Sequence, residues 1–129
     1  AVLPLLESDL FAIMRAVLEG RLAETDIRWK KESAACIVLA SGGYPVKYEK
    51  GKEISVGDLE DGVVLCHAGT KRKDGKLVTD GGRVLGVCAK GATIEEARQK
   101  AYRNVEKIRF EGMHYRKDIG IKYRDIPKQ

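Results

Sequence analysis

His67-Ala68-Gly69-Thr70, a basic hairpin-like insert, and then Asp80-Gly81-Gly82-Arg83-Val84-Leu85-Gly86-Val87 form the stretch on which fold and function both turn. Two short apolar runs, 63–66 and 84–87, flank a glycine-studded segment that carries Lys71, Arg72, Lys73, Lys76 and Arg83. Glycine lets backbone amides approach an anion with no Cβ in the way, and an arginine fork matches phosphate oxygens two at a time. The segment therefore reads as a candidate phosphate-facing loop built from Gly81, Gly82, Arg83 and Lys71. The same pattern also describes an ordinary β-hairpin with a solvated basic tip, so both readings stand on local pattern alone.

Composition narrows the class. The chain has 129 residues, 43% hydrophobic and 33% charged, which is enough for one compact domain with a core plus a short adjoining piece. No apolar run approaches the roughly 20 residues of a membrane span, so no membrane partner is expected. Cys36, Cys66 and Cys88 are odd in number, sit in separate apolar runs and show no CxxC spacing. Buried free thiols in a reducing cytoplasm fit that pattern better than a disulfide framework or a zinc site. The net charge of +5 arises from 24 basic and 19 acidic residues that are interleaved rather than segregated. A small anionic substrate explains that surplus as well as nucleic acid does. With one Trp, two Phe and five Tyr there is no aromatic-basic alternation for stacking bases.

Local signals outline the elements. The chain opens without Met on an apolar run, Leu3, Leu5 and Leu6, expected to be partly exposed because it reads as the tail of a longer polypeptide. Ser8 is positioned to cap a helix to about Glu19, with Asp9 in its first turn and Leu10, Ile13, Met14, Val17 and Leu18 on one face. Residues 21–32 read as a connector. Ser33–Ala40 reads as a buried strand ended by Ser41-Gly42-Gly43-Tyr44-Pro45, and 48–54 as a short edge strand or loop. Further strands are expected at 63–68, 76–79 and 84–89, with Asp74-Gly75 as a hairpin turn. Thr93 and Glu96 form a capping box opening a helix to about Ile108, which buries Ile94, Ala97, Ala101, Val105 and Ile108. Glu96 and Lys100 are spaced as an i, i+4 pair. Residues 110–120 are less regular and fit a final strand, with Arg116, Lys117 and Asp118 facing a partner surface.

Several unusual strings occur in order: Leu3-Pro-Leu-Leu-Glu-Ser-Asp-Leu10, Leu39-Ala-Ser-Gly-Gly-Tyr-Pro45, Tyr48-Glu-Lys-Gly51, His67-Ala-Gly-Thr70, Gly81-Gly-Arg-Val-Leu-Gly-Val87 and Phe110-Glu-Gly-Met-His-Tyr-Arg-Lys-Asp-Ile-Gly120. Together they resemble the C-terminal part of the phosphoribosylamine–glycine ligase (glycinamide ribonucleotide synthetase) family, ATP-grasp enzymes of purine biosynthesis. The resemblance covers nearly the whole chain. It implies an α+β fold: a mainly antiparallel β domain with packed helices over residues 26–129, preceded at 1–25 by a helical remnant of an ATP-grasp domain. It also implies a reaction joining glycine to 5-phosphoribosylamine with ATP and Mg2+ or Mn2+, through a glycyl phosphate. The implied partners are the N-terminal and ATP-grasp portions of the same enzyme.

The family's acidic metal-binding motif, glycine-rich lid and adenine pocket lie upstream of the part resembled here. No ATP or metal ligand is therefore assigned in this chain, and these residues alone are expected to be inactive. Val46-Lys47 departs from the small residues the family pattern has after Tyr-Pro. Related enzymes acting on phosphoribosylated substrates carry an arginine near the phosphate, which marks Arg83, with Lys71, as a contact to the 5-phosphate. The competing role for Arg83 is an ion pair with Asp80 or Glu111. His67 and His114 could serve as general bases, but neither has a carboxylate or cysteine at suggestive spacing, which favours structural roles. The alternative function is an independent basic nucleic-acid-binding β module centred on 71–76.

Overall fold

The computed structural model describes residues 1–121. It is an α+β fold. Helix α1 (Leu10–Leu18) precedes the strands β1 (Ser33–Ala40), β2 (Ser55–Val56), β3 (Val64–His67), β4 (Thr70–Lys73), β5 (Lys76–Thr79) and β6 (Arg83–Gly91), and helix α2 (Ile94–Val105) and strand β7 (Ile108–Arg109) follow. All strand pairs are antiparallel: a three-stranded sheet in the order β1-β6-β3, the pair β2-β7, and the hairpin β4-β5.

β1 alternates as a half-buried strand should. Ala35, Ile37 and Leu39 are buried, while Val38 points out. β6 is central and buried on both faces from Val84 to Ala89. Ile37, Leu39, Leu85, Val87 and Ala89 join Ala101 and Val105 of α2, together with Ile108 and Phe110, in one core. The hairpin turns at Asp74-Gly75, both with positive φ (50° and 78°), as the two-residue turn requires. Residues 51–54 run beside β5 through Gly51 N to Thr79 O, Thr79 N to Lys52 O and Ile54 N to Leu77 O hydrogen bonds, so this stretch is an edge segment rather than a free loop.

Several expectations change. The cap of α1 is Asp9, whose side chain accepts from Ala12 N at 3.0 Å. Ser8 instead accepts from Arg28 N (2.7 Å) and ties the helix entry to the connector. The apolar face of α1 is largely uncovered, with Phe11 72% and Leu18 89% exposed. Leu3 is exposed and Leu5 and Leu6 half-buried, as expected. Thr93 caps α2 by accepting from Glu96 N, but the Glu96 carboxylate reaches Ala92 N (2.9 Å) rather than the Thr93 amide. That leaves no pairing with Lys100, whose ammonium donates to Asp61 O. α2 ends at Val105; Ile108 is buried as expected, but as a strand residue opposite Val56. Residues 110–120 form no strand. They contribute one bridge, His114 to Ala40, and Arg98 of α2 holds them by donating to Ile119 O at 2.9 Å. Positions 122–129 of the expected second domain lie outside the described residues.

One buried polar side chain ties the 57–63 loop to α2. Asn104 is fully buried; its Oδ1 accepts from Glu60 N (2.8 Å), and its Nδ2 donates to Glu60 Oε1 (3.0 Å) and to Lys100 O (2.8 Å). Asn104→Ala strands the Glu60 backbone donor and takes one partner from its carboxylate, which Arg103 still holds. A loss of about 1–3 kcal/mol is expected, read as a lower urea midpoint with an unchanged slope.

Candidate functional site at the glycine-loop end

Three loops meet where β1 ends and β6 begins. Ala40 and His114 exchange backbone hydrogen bonds of 2.9 and 3.0 Å, bringing the 110–114 return beside β1. The next residue, Ser41, is buried and spans to the 80–83 loop: its amide donates to Gly82 O and its hydroxyl to Gly81 O, each at 2.8 Å. Gly42 packs on the backbone of Gly112.

The Tyr44 ring lies on Gly82 so closely that a Cβ there would sit 2.0 Å from its Cδ2. Gly81 packs against Gly69, where an added Cβ would come within 2.6 Å of the Gly81 Cα. Internal close approach therefore explains Gly81 and Gly82 without a ligand. The sequence marked these glycines as places where backbone could approach an anion. The contact they permit here is with the chain itself.

Arg83 is exposed, and its guanidinium forms no ion pair or hydrogen bond with any described residue. Both acids that could have claimed it are engaged elsewhere. Asp80 is held by Lys71 at 3.1 Å and approached by Lys50 at 3.7 Å. Glu111 pairs with Lys52 at 3.0 Å, and Lys52 also pairs with Glu49 at 2.9 Å. The Lys71 hydrogen bond, against the opposing effect of desolvation and with help from Lys50, holds the Asp80 carboxyl below the usual carboxylate range. Glu49 and Glu111 push the Lys52 ammonium up.

The loops border two clefts. A groove of about 480 Å³ runs over the open face of the three-stranded sheet, lined by Tyr44, Gly82, Arg83 and Ala68 at one end and by Cys36, Val38, Cys66 and Gly86 along it. A second cleft of about 330 Å³ is lined by Gly42, Lys47, Tyr48, Glu49, Lys52, Glu111 and Gly112. Tyr44 and Tyr48 stack edge to face at 5.9 Å near both.

Of the four residues singled out in the sequence, Gly81 and Gly82 form the loop that leads directly into Arg83, the first residue of β6. Lys71 reaches that loop from β4, but as the ion-pair partner of Asp80. His67 is exposed and its Nδ1 lies 3.1 Å from Thr70 Oγ1. His114 is exposed and contributes through its backbone. The sequence reading gave Ser41, Tyr44 and Lys52 no role. The Glu49 to Lys52 spacing is the local trace of the second cleft, while Glu111 joins it from 59 residues away. Within the basic hairpin, Lys71 and Lys76 are neutralised by Asp80 and Glu53. No helix among the described residues is long and apolar enough to cross a membrane.

The fold and this loop cluster define a small α+β domain with a cation-edged groove at one end of its sheet. The chain belongs to the family described as "Phosphoribosylglycinamide synthetase, C domain", which it matches over residues 34–122. It is 49% identical over 95% of its length to a phosphoribosylamine–glycine ligase of Caldanaerobacter subterraneus, and 47% identical over 95% of its length to one of Synechocystis. The chain spans about 30% of the length of these curated relatives. A crystal structure of phosphoribosylamine–glycine ligase from Thermotoga maritima is similar with a TM-score of 0.67 and 46% identity, over 82% of this chain and 27% of that one.

The Asp80 cluster has a pH signature. A carboxyl held low contributes stability that is present above its unfolded titration range and lost as pH falls through the folded one. Lys71→Ala is expected to move the Asp80 carboxyl resonance to a higher titration midpoint in carbon-detected NMR, and to flatten the acid limb of the stability profile. An unmoved midpoint would show that Lys71 does not hold Asp80 in solution.

Proposed function

We propose that the chain is the C-terminal portion of an ATP-dependent ligase that joins glycine to 5-phosphoribosylamine, giving glycinamide ribonucleotide in cytoplasmic purine biosynthesis. The observation that carries this reading is the near-half identity, along 95% of the chain, to relatives bearing that ligase's name. In this reading residues 1–25 close the ATP-grasp domain and 26–129 form the C-terminal domain. The N-terminal and ATP-grasp portions of the same enzyme are the partners, and the uncovered apolar face of α1 supports a neighbour of that kind.

Those portions hold ATP and Mg2+ or Mn2+. Among the described residues no three His, Cys, Asp or Glu side chains gather as a metal set, so no step is assigned to metal chemistry within this chain. The bond-forming step is attack of the phosphoribosylamine nitrogen on a glycyl phosphate, and this domain contributes by positioning. The 129 residues alone are expected to release no ADP from ATP, glycine and phosphoribosylamine, and turnover is expected on mixing with the remaining portion of the enzyme. Turnover by the isolated chain would overturn the division of labour.

Arg83 is the residue proposed to bind substrate. Its unengaged guanidinium at the mouth of the groove suits a bidentate contact to the 5-phosphate, with Lys71 assisting by exchanging its Asp80 partner for the phosphate. Arg83→Lys in the full-length ligase removes the fork but keeps the charge. An increase in the phosphoribosylamine KM of about tenfold to a hundredfold is expected, from the 1.5–3 kcal/mol of a charged hydrogen bond, with the KM for ATP and glycine unchanged. An unchanged phosphoribosylamine KM with lower thermal stability would make Arg83 structural. The nucleic-acid reading has less support, because two cations of the basic hairpin are already neutralised. Salt-dependent oligonucleotide binding, lost on replacing Arg72 and Lys73, would restore it.

A further inference from the structure

The three cysteines, far apart in sequence, converge on the open face of the sheet. Cys36 lies opposite Cys88 in the β1-β6 register, and Cys66 lies opposite Gly86 in the β3-β6 register, one step diagonal from Cys88. The Cys66 and Cys88 sulfurs are 3.8 Å apart. Gly86 is what permits this: an added Cβ there would stand 3.1 Å from the Cys36 sulfur and 3.6 Å from the Cys66 Cβ, in the space over which the thiols close. Cys66 is exposed and lines the groove, whereas Cys88 is 3% exposed beneath it. One thiol is open to solvent and a second, shielded thiol stands beside it, which is the arrangement of an attacking and a resolving cysteine.

We infer that Cys66 and Cys88 form a thiol–disulfide exchange site whose substrate is a small disulfide of the glutathione class. The Cys66 thiolate attacks one sulfur of the disulfide, forming a mixed disulfide and releasing one thiol. The Cys88 thiolate then attacks the Cys66 sulfur, closes the Cys66–Cys88 bond and expels the second thiol. The two cysteines together lose two electrons and two protons, and one disulfide becomes two thiols. Closing the bond draws the sulfurs from 3.8 Å to about 2.05 Å. β3 is the edge strand of its sheet and can make that inward shift with no further strand of the sheet outside it. Partial desolvation in the groove, with the Cys88 hydrogen bond, raises the Cys66 thiol, and burial, with Cys36 beside it, raises the Cys88 thiol. Exchange is therefore slow at neutral pH and accelerates as pH rises.

The test uses the 129-residue chain and glutathione disulfide without denaturant. Trypsin separates the cysteines into peptides 32–47, 53–71 and 84–90, so intact mass and peptide mapping identify the bridge. The expected product has lost two hydrogens, links 53–71 to 84–90, reverts with dithiothreitol, and forms faster at about pH 9 than at about pH 7. Cys88→Ser is expected to stop at one glutathionyl group on Cys66, Cys66→Ser to remain unmodified over the same interval, and Cys36→Ser to behave like the parent. Absence of the 53–71 to 84–90 link, a bridge through Cys36 instead, or reaction only in urea would each overturn the assignment.

Discussion

Pairing of β6 on both sides is the constraint on which the rest of the structure depends. Its antiparallel ladders to β1 and β3 leave every residue from Val84 to Ala89 inside, and α2 seals one face through Ala97, Ala101 and Val105. Burying a valine or leucine side chain contributes about 1.5–3 kcal/mol, so this strand concentrates much of the stabilisation. The first residue of the same strand is Arg83. A rigid, doubly paired strand thus fixes where an otherwise unrestrained cation emerges, and precise placement is what electrostatic recognition of an anion requires.

The loop end is built on a different principle. Backbone meets backbone at Gly69 with Gly81 and at Gly42 with Gly112, the Tyr44 ring lies on Gly82, and Ser41 satisfies two carbonyls of the 81–82 segment. Direct chain-to-chain contact brings three segments, from the middle, the hairpin return and the end of the domain, to one place. The cleft residues Lys52 and Glu49 then close a charge arrangement with Glu111 of the last of those segments.

What the sequence disclosed and what it hid follow from the range of each interaction. The Thr93 cap, the Asp74-Gly75 turn and β1 were legible because each is decided by residues within a few positions. The cap of α1 slipped by one because Ser8 and Asp9 both suit the role, and only the connector, 20 residues away, shows that Ser8 is used elsewhere. Ile108 fits the buried face of a helix or of a strand equally well, so its burial was readable and its element was not. In the site, Arg83 and its glycines stood out from local chemistry. That Asp80 belongs to Lys71 depends on the exact register of the β4-β5 hairpin. That Glu111 belongs to Lys52 and that Tyr44 is what Gly82 accommodates depend on contacts between distant segments, which spacing alone does not carry.

The contact of Tyr44 with Gly82 also imposes a direction on how this loop can change. A side chain at position 82 collides with the ring as long as Tyr44 remains, because the Cβ site lies inside the van der Waals envelope of the ring carbons. Trading the tyrosine for a small residue first empties that space, after which alanine or serine at 82 becomes accommodable. The two orders of substitution reach the same sequence, but one passes through a strained intermediate and the other through a merely under-packed one. Mutational access to this end of the domain is therefore one-way, with position 44 acting as the gate for position 82.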